Sequence, residues 1–386
     1  MKLLVYSHFF APSMGGVETI VRSLASGLAE WRSAEDRPAF ELTLVTETPR
    51  GEFRDASLPF RVVRQPSFAQ LGRLIADSDV VHLAGPALLP MVLCWLAGKP
   101  FVVEHHGFQT ICPNGQLLIE PSGSPCPGHF MAGRHGVCLR CNAGGGWFRS
   151  SKLWLLTFAR RRLCRHAAAN LTPTYWLSQL VELPRVTPLA HGLPPRAGGH
   201  SASPAGDTPV IVFQGRLVST KGVHVLLEAV ARLAQKDRRF ELLIIGNGPE
   251  RAPLERFTEQ HELGARVRFC GSLPAQELES AFSRASLVVV PSLGGEVFGL
   301  VVVESMQRGL AVIASDLGAF VEVLGDAGLV FRTGDAKELG EALDLLLCDR
   351  ARRTDLGRQA RERVARQFSL EAMIEGHAAV YRRVER

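Results

Sequence analysis

Two glutamates and a glycine-rich loop make Pro291–Ser305 the segment of this sequence with the most specific chemistry. Glu296 stands in the loop after a predicted strand, and Glu304 follows after seven intervening residues, within the helix that the loop opens. A carboxylate accepts hydrogen bonds from sugar hydroxyls, and the N–H groups of Val297–Leu300 lie at a helix start, which attracts phosphate. Taken singly, Glu296 is also explained as an acid at the helix dipole, and Glu304 as a solvated acid on the helix face. The whole segment favours a ligand with both hydroxyls and phosphate.

Two cations lie in a similar position earlier in the chain. Arg216 and Lys221 separate the predicted strand Val210–Phe213 from a helix that begins at Val223. Arginine can donate two parallel hydrogen bonds to a phosphate and lysine adds a compact positive charge, so the pair can neutralise a diphosphate. An arbitrary Arg and Lys would be solvated loop residues, but their place between a strand end and a helix start favours anion binding.

Glycines follow a strand in each half of the chain. Gly15 and Gly16 come at a predicted helix start, where backbone N–H groups can approach an anion, although a flexible turn without a ligand explains the pair equally well. Gly246 and Gly248 follow a strand in the second half, but Arg251 occupies the place of a third glycine. The dinucleotide fingerprint Gly-x-Gly-x-x-Gly is therefore missing, and the second pair predicts a tight turn.

Short aliphatic strands alternating with helical stretches must position these loops. In the first half, the predicted strands are Lys2–Ser7, Glu41–Thr46, Val80–Leu83, Phe101–Glu104 and Ala169–Thr172. In the second half, they are Val210–Phe213, Glu241–Ile245, Val267–Cys270, Leu287–Val290 and Ala311–Ala314. The alternation predicts an α/β fold with two doubly wound, Rossmann-like domains facing a central cleft. Ligands bind beyond the carboxyl ends of the strands in such domains, which is where the loops above stand.

Length and composition limit the class of protein. The 386 residues exceed one ordinary core, and 46% hydrophobic with 21% charged residues is typical of a folded globular chain of two domains. A net charge of +6 favours anionic partners, but without a basic stripe of stacking aromatics it does not predict nucleic-acid binding. No apolar run is long enough to span a membrane, and we interpret the N-terminus as a strand and not as a signal peptide. We therefore expect a cytoplasmic protein.

Four features form a pattern known from one family, and they are Arg216, Lys221, the Glu296-x7-Glu304 segment and His106 after the fourth predicted strand. With this pattern, the sequence resembles the retaining nucleotide-sugar glycosyltransferases of family 4, which have the GT-B fold. The resemblance covers nearly the whole chain. It implies that Arg216 and Lys221 bind the diphosphate of a nucleotide-sugar donor. It also implies that Glu296 binds hydroxyls of the donor sugar and that Glu304 binds those of the ribose.

The same resemblance gives roles to six more residues of this sequence. The backbone of Phe298, Gly299 and Leu300 would contact phosphate, and the first loop, with Gly15 and Gly16, would approach the diphosphate. The histidine His106 would lie near the donor sugar and act with the two cations and Glu296 in catalysis.

The chain departs from the family pattern after the fourth strand. The family often has His-Asp there, whereas this sequence has Glu104, His105, His106 and a glycine. Adjacent residues at a strand end point opposite ways, so only one of the two histidines can face the cleft. His106 matches by register and His105 remains the alternative, with a core or surface role open for each. Glu18, beside the Gly-Gly pair, fits a first-turn helix acid or an acceptor-binding residue.

The resemblance also implies a domain plan. We expect an acceptor-side domain over residues 1–191 with a cysteine-rich insertion over 108–146, and a Pro- and Gly-rich linker over 192–209. A donor-binding domain would follow over 210–368. The last residues, 369–386, would form a helix that crosses back to the N-terminal domain.

The expected reaction is transfer of a hexose from a UDP-sugar or GDP-sugar to a glycan or lipid-linked acceptor. No Asp-x-Asp metal motif follows a strand in the expected way, and Arg216, Lys221 and helix N-termini can stabilise the departing diphosphate. We therefore expect catalysis without a cofactor or metal. No enzymatic nucleophile is evident, which favours same-face attack with retention. A sugar-nucleotide epimerase and a non-catalytic carbohydrate-binding scaffold are the alternatives.

Four cysteines cluster in the insertion with the spacing C-x13-C-x11-C-x2-C. They are Cys112, Cys126, Cys138 and Cys141. One Cys-x2-Cys knuckle with two separated thiols can hold a structural zinc, and a long loop needs some cross-link. Four free thiols or an iron–sulfur site fit the spacing as well, and His129 and His135 are alternative ligands.

Aromatic and basic side chains alternate over residues 147–166. The aromatic ones are Trp147, Phe148, Trp154 and Phe158, and the basic ones are Arg160, Arg161, Arg162 and Arg165. A helix of this kind can lie on an anionic membrane surface and present a lipid-linked acceptor, which would place the protein at the inner face of the membrane. The alternative is a domain helix that packs its aromatic side chains inward.

Overall fold

The protein consists of two compact units in a computed structural model, which describes residues 1–13, 15–32, 38–120, 122–196, 208–236 and 238–385. The first unit comprises Met1–Gly115, Gly128–Pro195 and Gln367–Arg386, and the second comprises Gln116–Pro127 and Arg196–Arg366. Residues 197–207, most of the predicted linker, lie outside the described part of the chain, as does Met14 in the first loop.

The strands of the described chain follow each other in this order. They are β1 (Lys2–Ser7), β2 (Glu41–Thr46), β3 (Arg61–Arg64), β4 (Val80–Ala84), β5 (Phe101–Glu104), β6 (Leu118–Ile119), β7 (Ser124–Pro125), β8 (Ala169–Thr172), β9 (Val186–Pro188), β10 (Val210–Gln214), β11 (Glu241–Ile245), β12 (Val267–Gly271), β13 (Leu287–Val290), β14 (Ala311–Ser315) and β15 (Leu329–Phe331). Every strand predicted from the sequence is present, to within one residue at its ends.

The α-helices alternate with these strands. They are α1 (Gly16–Glu30), α2 (Phe68–Asp77), α3 (Leu88–Leu96), α4 (His135–Cys141), α5 (Trp147–Cys164), α6 (Tyr175–Val181), α7 (Val223–Gln235), α8 (Arg251–Gln260), α9 (Ala275–Arg284), α10 (Leu300–Gln307), α11 (Gly318–Leu324), α12 (Ala336–Cys348), α13 (Arg350–Gln367) and α14 (Leu370–Glu385). Among the described residues, no helix combines the length and the hydropathy needed to cross a bilayer.

Each unit is built on one parallel sheet. The first sheet has the strand order β3-β2-β1-β4-β5-β8-β9, and the second has the order β12-β11-β10-β13-β14-β15. Every pairing in the two sheets is parallel. The central strands are buried on both faces because their aliphatic runs pack under helices, as in β13, where all four residues are buried. The prediction of two doubly wound, Rossmann-like domains is confirmed.

The order of strands reverses between β1 and β4 in the first sheet and between β10 and β13 in the second. Loops that leave two such neighbouring strands diverge to opposite faces of the sheet, and the crevice between them binds ligands. The loops after β10 and β13 are those that carry the predicted diphosphate and sugar residues. The topology therefore brings the two most specific sequence segments to one edge of the second unit.

The predicted cysteine-rich insertion does not form one body. Its short hairpin of β6 and β7 belongs to the second unit, where Leu118 is part of the hydrophobic core. The N–H of Gly295 donates to the carbonyl oxygen of Gln116 at 2.7 Å, which ties the hairpin to the loop after β13. The predicted boundary at residue 191 is therefore wrong for residues 116–127, because Leu118 is buried in the second core.

The last helix, α14, belongs to the first unit and packs against α1. A Cβ at Gly27 of α1 would overlap the side chain of Ile374, so the two helices approach closely there. The N–H of Leu370 donates to the carbonyl oxygen of Leu193 at 3.0 Å, and Tyr381 is completely buried. These contacts seat the end of the chain on the first sheet.

Candidate functional site

The loop after β10 presents two cations with different surroundings. Arg216 is exposed, and its guanidinium forms no hydrogen bond or ion pair with any residue that the structure describes. Lys221 ends a turn of 3₁₀ helix, Ser219–Lys221, just before Gly222 and α7. Its Nζ forms an ion pair with Glu296 of the loop after β13. Arg216 is thus available to a ligand, and Lys221 already holds one of the predicted sugar-binding carboxylates.

Two backbone contacts join the loops after β10 and β13. The N–H of Leu293 donates to the carbonyl oxygen of Thr220 at 2.7 Å. Gly222 adopts a left-handed conformation with φ of 63°, and a Cβ there would overlap the carbonyl oxygen of Pro291. Only glycine combines this conformation with this approach. The pairing of Lys221 with Glu296 depends on that close contact.

Serine hydroxyls support Glu296 from the same side. Ser292 Oγ donates to Glu296 Oε1 at 3.1 Å, and Ser315 Oγ donates to the carbonyl oxygen of Ser292 at 2.6 Å. The Glu296 side chain is 14% exposed and that of Lys221 is 30% exposed. The carboxylate is therefore held in place while part of its surface remains open to a ligand.

The start of α10 follows directly after this carboxylate. Gly299 precedes the helix with φ of 89°, and its carbonyl oxygen accepts from the N–H groups of Val302 and Val303. The N–H groups of Leu300 and Val301, which open the helix, have no acceptor within it, so they attract an anion. Phe298 is buried and anchors the turn, while Leu300 is partly exposed.

Glu304 lies one turn further along α10 and is partly buried. Burial raises the pKa of its carboxyl group, and the charges of Arg308 and Arg196 lower it by less. Arg308 Nη2 contacts Glu279 Oε1 at 2.6 Å, and Arg196 pairs with the same carboxylate. Arg308 and Arg196 thus pair with Glu279, and their positive charges offset only part of the cost of burying an ionised Glu304.

Replacing Glu304 by Gln tests this environment. A carboxyl group whose pKa is raised by folding destabilises the folded protein when it is ionised, and this cost disappears as the pH falls through the folded pKa. We therefore expect Glu304→Gln to raise the melting temperature by a few degrees near neutral pH, and to raise it less in mild acid. Thermal unfolding over this pH range measures the effect, with Glu228→Gln on the exposed face of α7 as the control. A lower melting temperature near neutral pH would contradict the assignment.

The glycines after β11 join two backbone segments. A Cβ at Gly246 would overlap the carbonyl oxygen of Gly215, and one at Gly248 would overlap that of Leu217. The N–H of Leu217 donates to the carbonyl oxygen of Asn247 at 2.9 Å. These glycines let the loop after β11 lie directly against the loop that carries Arg216.

In the first unit, the Gly-Gly pair lies at the start of α1. Gly15 is the residue before the helix, in an extended conformation with φ of −171°, and its carbonyl oxygen accepts from Thr19 Oγ1 at 2.9 Å. The Glu18 carboxylate folds back over Gly15, where a Cβ would overlap it. Glu18 therefore occupies the first turn of α1, next to the N–H groups of that turn.

The two adjacent histidines have different environments. His105 is completely buried, its Nε2 lies 3.0 Å from Asn170 Oδ1, and burial lowers its pKa to about 4. His106 retains 7% side-chain exposure and stacks on His191 with ring centroids 5.1 Å apart. His105 therefore points into the core, and His106 is the one of the two with a path to solvent.

A buried carboxylate surrounded by histidines lies under His106. Glu104 ends β5 and is completely buried. Its oxygens lie 3.1 to 3.5 Å from the Nε2 atoms of four histidines, which are His82, His106, His191 and His377. Burial alone would raise the pKa of Glu104, but the histidines, His106 and His377 first, hold it well below its usual value. Sequence reasoning missed this cluster because its members come from distant segments with no common spacing.

The four cysteines divide between the two units. Cys112, Cys138 and Cys141 lie in the first unit and Cys126 in the second. Asn114 contacts two of them, since Cys112 Sγ lies 2.9 Å from its Oδ1 and its Nδ2 lies 3.6 Å from Cys141 Sγ. Within the described part of the chain, the groups of three metal-ligand side chains with donor atoms within 4.8 Å of one another both contain Glu104, and neither contains a cysteine.

The aromatic side chains of helix α5 differ in their surroundings. Phe148 is 86% exposed and Trp147 is 63% exposed, whereas Trp154 and Phe158 pack against His135 with ring centroids 5.7 and 5.3 Å apart. A cavity of about 530 Å³ lies at the basic end of the helix. It is lined by Phe130, Met131, Gly133, His135, Phe158, Arg161, Arg162, Arg165 and Glu182.

The fold and the second unit's sequence define the class of protein. Residues 200–363 match the family model described as glycosyl transferases group 1. Together with the two Rossmann-like units, which have the GT-B fold, this match makes the second unit similar to the glycosyltransferases of that group. The match favours glycosyl transfer over the epimerase and the carbohydrate-binding scaffold that the sequence left as alternatives.

Individual relatives and a solved structure agree with this class. The lipopolysaccharide core biosynthesis glycosyltransferase LpsE of Rhizobium meliloti (strain 1021) is 27% identical over 376 residues, which are 96% of this chain and 97% of that protein. The phosphatidyl-myo-inositol mannosyltransferase of Mycolicibacterium smegmatis is 39% identical over 160 residues, which are 40% of each chain. The crystal structure of Anabaena Alr3699/HepE in complex with UDP-glucose superposes with a TM-score of 0.73 at 16% identity, covering 99% of this chain and 100% of that one.

Proposed function

We propose that the protein is a retaining, family 4 glycosyltransferase that moves a hexose from a nucleotide diphosphate-sugar to a glycan or lipid-linked acceptor. The observation that carries the proposal is the pairing of Lys221 with Glu296 across the β10–β13 switch point. At this point Lys221, a cation for the diphosphate, lies next to Glu296, a carboxylate for sugar hydroxyls, beside the start of α10. This combination fits a ligand in which a sugar is bonded to a diphosphate.

Donor binding would exchange the partners of this ion pair. The diphosphate would take Lys221 and the unpaired Arg216, and the sugar hydroxyls would take Glu296. The N–H groups of Phe298, Gly299 and Leu300 would face phosphate, and Glu304 would accept from the ribose hydroxyls. The roles of Gly16 and His106 toward the donor, both in the first unit, rest on the family resemblance.

Transfer would proceed by same-face displacement. The bond between the anomeric carbon and the diphosphate oxygen breaks, and its electron pair stays on the diphosphate. The acceptor hydroxyl oxygen forms the new bond on the same face and gives its proton to the departing phosphate oxygen. Arg216, Lys221 and the α10 start supply positive charge where negative charge develops, so no metal ion is required on the diphosphate.

A donor screen tests this function. A UDP-sugar is the first choice, because the solved structure that superposes on this chain holds UDP-glucose, and a GDP-sugar is the second. A ligand that binds only the folded protein raises the melting temperature, by an amount that grows with its concentration. We expect one nucleotide sugar to do so and to release its nucleoside diphosphate in the presence of EDTA. Interconversion of the sugar without release would indicate an epimerase, and binding without either reaction would indicate a scaffold.

The acceptor side of the proposal includes an anionic membrane surface. Helices α3 and α5 pack together, with the rings of Trp95 and His166 6.2 Å apart. They expose large apolar side chains next to the arginines of α5, which are Leu89, Trp95, Leu96, Trp147, Phe148 and Leu155. Apolar side chains flanked by arginines are typical of helices that lie in a headgroup region.

Co-sedimentation with vesicles tests this surface. We expect binding to phosphatidylglycerol-containing vesicles and about tenfold weaker binding after the double change Trp147→Ser and Phe148→Ser. Leu345→Ser removes an exposed apolar side chain from the second unit and should have no effect. Equal sedimentation of the double variant and the control would exclude α5 as the membrane contact.

For the cysteines, the proposal remains a structural zinc. Cys112, Cys138 and Cys141, which all lie in the first unit, would supply three thiolates. The shared contact of Cys112 and Cys141 with Asn114 supports a common centre for these two thiols. Zinc sites built from thiolates are typically structural, so this ion would have no catalytic role.

A further inference from the structure

The cluster around Glu104 draws side chains from four separate segments of the first unit. His82 lies in the middle of β4, Glu104 ends β5, His191 follows β9, and His377 lies on α14. His82, Glu104 and His377 are completely buried, and one donor atom from each lies within 4.8 Å of the other two. Among the described residues, the ion-pair partners of Glu104 are all histidines, so no lysine or arginine compensates this carboxylate. An ionised carboxylate in the core requires a cation.

The Nδ1 atoms of His82 and His377 are already hydrogen-bonded. His377 Nδ1 lies 2.8 Å from the carbonyl oxygen of Met373, which can only accept, so Nδ1 carries the hydrogen. In the neutral ring, the lone pair is then on Nε2, which lies 3.5 Å from Glu104 Oε1. His82 Nδ1 pairs with Tyr381 Oη at 2.9 Å, and its Nε2 lies 3.2 Å from Glu104 Oε2.

The atoms at which His82, His377 and Glu104 approach one another are buried. His82 Nε2, His377 Nε2 and Glu104 Oε2 have no hydrogen-bond partner among the described groups, although the pairs are close. The contacts are short, but their alignment does not fit N–H···O hydrogen bonds. Lone pairs that converge in this way repel each other unless a proton or a metal ion lies between them, and the alignment fits a metal ion better than an N–H···O bond.

We propose that His82, Glu104 and His377 hold a divalent transition-metal ion, of which zinc fits best, and that this ion fastens α14 to the first sheet. Zinc binds imidazole and carboxylate at about 2.0–2.2 Å, so neighbouring ligand atoms in a tetrahedral site lie about 3.3 Å apart. His82 Nε2 lies 3.2 Å from Glu104 Oε2, which is close to this distance, and His377 Nε2 lies 3.5 Å from the other carboxylate oxygen, Oε1. Histidine ligands of metals donate their other N–H to an oxygen, as His82 and His377 can to Tyr381 and Met373.

A second set, Glu104 with His106 and His191, shares the same carboxylate. His191 Nε2 forms an aligned hydrogen bond to Glu104 Oε1 at 3.1 Å, which uses that oxygen. His106 is partly exposed. The first set is therefore the ligand set, and His191 is an outer partner of the carboxylate. The ion has no part in the proposed transfer reaction, so the ion can be detected whether or not the protein transfers a sugar.

Metal analysis of the full chain, purified without chelators or metal-affinity resin, tests the site. We expect zinc in the wild type and loss of the His-bound ion in His377→Gln, while His105→Gln, an equally buried histidine outside the set, retains it. Tyr381→Phe keeps the ring but removes the hydroxyl beside His82, and we expect it to weaken metal affinity about 10-fold to 100-fold. Equal metal content in His377→Gln and His105→Gln would overturn the proposal.

Cobalt distinguishes this site from the cysteine site. After chelation of the wild type, Co²⁺ bound by histidine and carboxylate gives visible bands without the intense near-ultraviolet thiolate charge-transfer band, and we expect both kinds of spectrum if both sites fill. Hydrogen exchange of residues 370–385 should become about tenfold faster in the metal-free protein, because one link to the sheet is lost. Thiolate bands alone, or no Co²⁺ uptake, would show that the Glu104 cluster binds no metal.

Discussion

Lys221→Ala is expected to lower the turnover number for transfer from the nucleotide-sugar donor by about 10²-fold to 10³-fold. This is the usual effect of removing one preorganised group that stabilises a developing negative charge. The departing diphosphate gains charge in the transition state, so the effect falls mainly on kcat and less on KM. Arg216→Ala should have an effect of the same order, because the exposed guanidinium has no other partner among the described residues.

The folded protein should tolerate both changes. Removal of Lys221 leaves Glu296 with the Ser292 hydroxyl and with 14% of its side chain exposed, so the carboxylate is not stranded in the core. The control is Lys236→Ala, which removes a surface lysine that pairs with Asp344 in the same unit. Initial-rate kinetics with melting curves of each variant provide the measurement. Lys221→Ala with near wild-type kcat would remove this residue from the diphosphate site.

Gly222→Ala is expected to be strongly destabilising to the second unit. A left-handed backbone costs a non-glycine residue about 1–2 kcal/mol, and forcing the new Cβ away from the Pro291 carbonyl adds about 1–3 kcal/mol. The sum is about 2–5 kcal/mol. Because the clash is between two backbone segments, relief requires the loops after β10 and β13 to separate, and Lys221 would then lose Glu296.

Gly334→Ala, in the same unit, is the matched control. Gly334 has φ of 82°, and the nearest atom to an added Cβ lies 3.9 Å away, so it reports the conformational cost alone. The chain's five tryptophans, at positions 31, 95, 147, 154 and 176, all lie in the first unit, so their fluorescence does not follow unfolding of the second. Hydrogen exchange of β10 and β13 amides is the suitable measurement. Equal destabilisation by the two substitutions would show that the close contact at Pro291 has no energetic importance.

Several features could be predicted because they depend on local pattern. Strands buried on both faces are continuous aliphatic runs, so the sequence located β10 and β13 and the loops that follow them. The alternation of strands with helices predicted the two parallel sheets, and the confirmed fold then implies that loops after adjacent strands meet. The short strands β3, β9 and β15 were not predicted, since runs of three or four residues at or near a sheet edge carry little signal.

By itself, the sequence determined the α/β fold and the residues placed at the β10–β13 edge. Only the tertiary structure decided that Lys221 and Glu296 form a pair, that residues 116–127 belong to the second core, and that Glu104 is surrounded by four histidines. Hydrophobic periodicity and strand–loop–helix order are properties of neighbouring residues. Contacts between distant side chains, such as that of His82 with Tyr381, 299 positions apart, depend on how the first sheet and α14 pack, which no local spacing encodes.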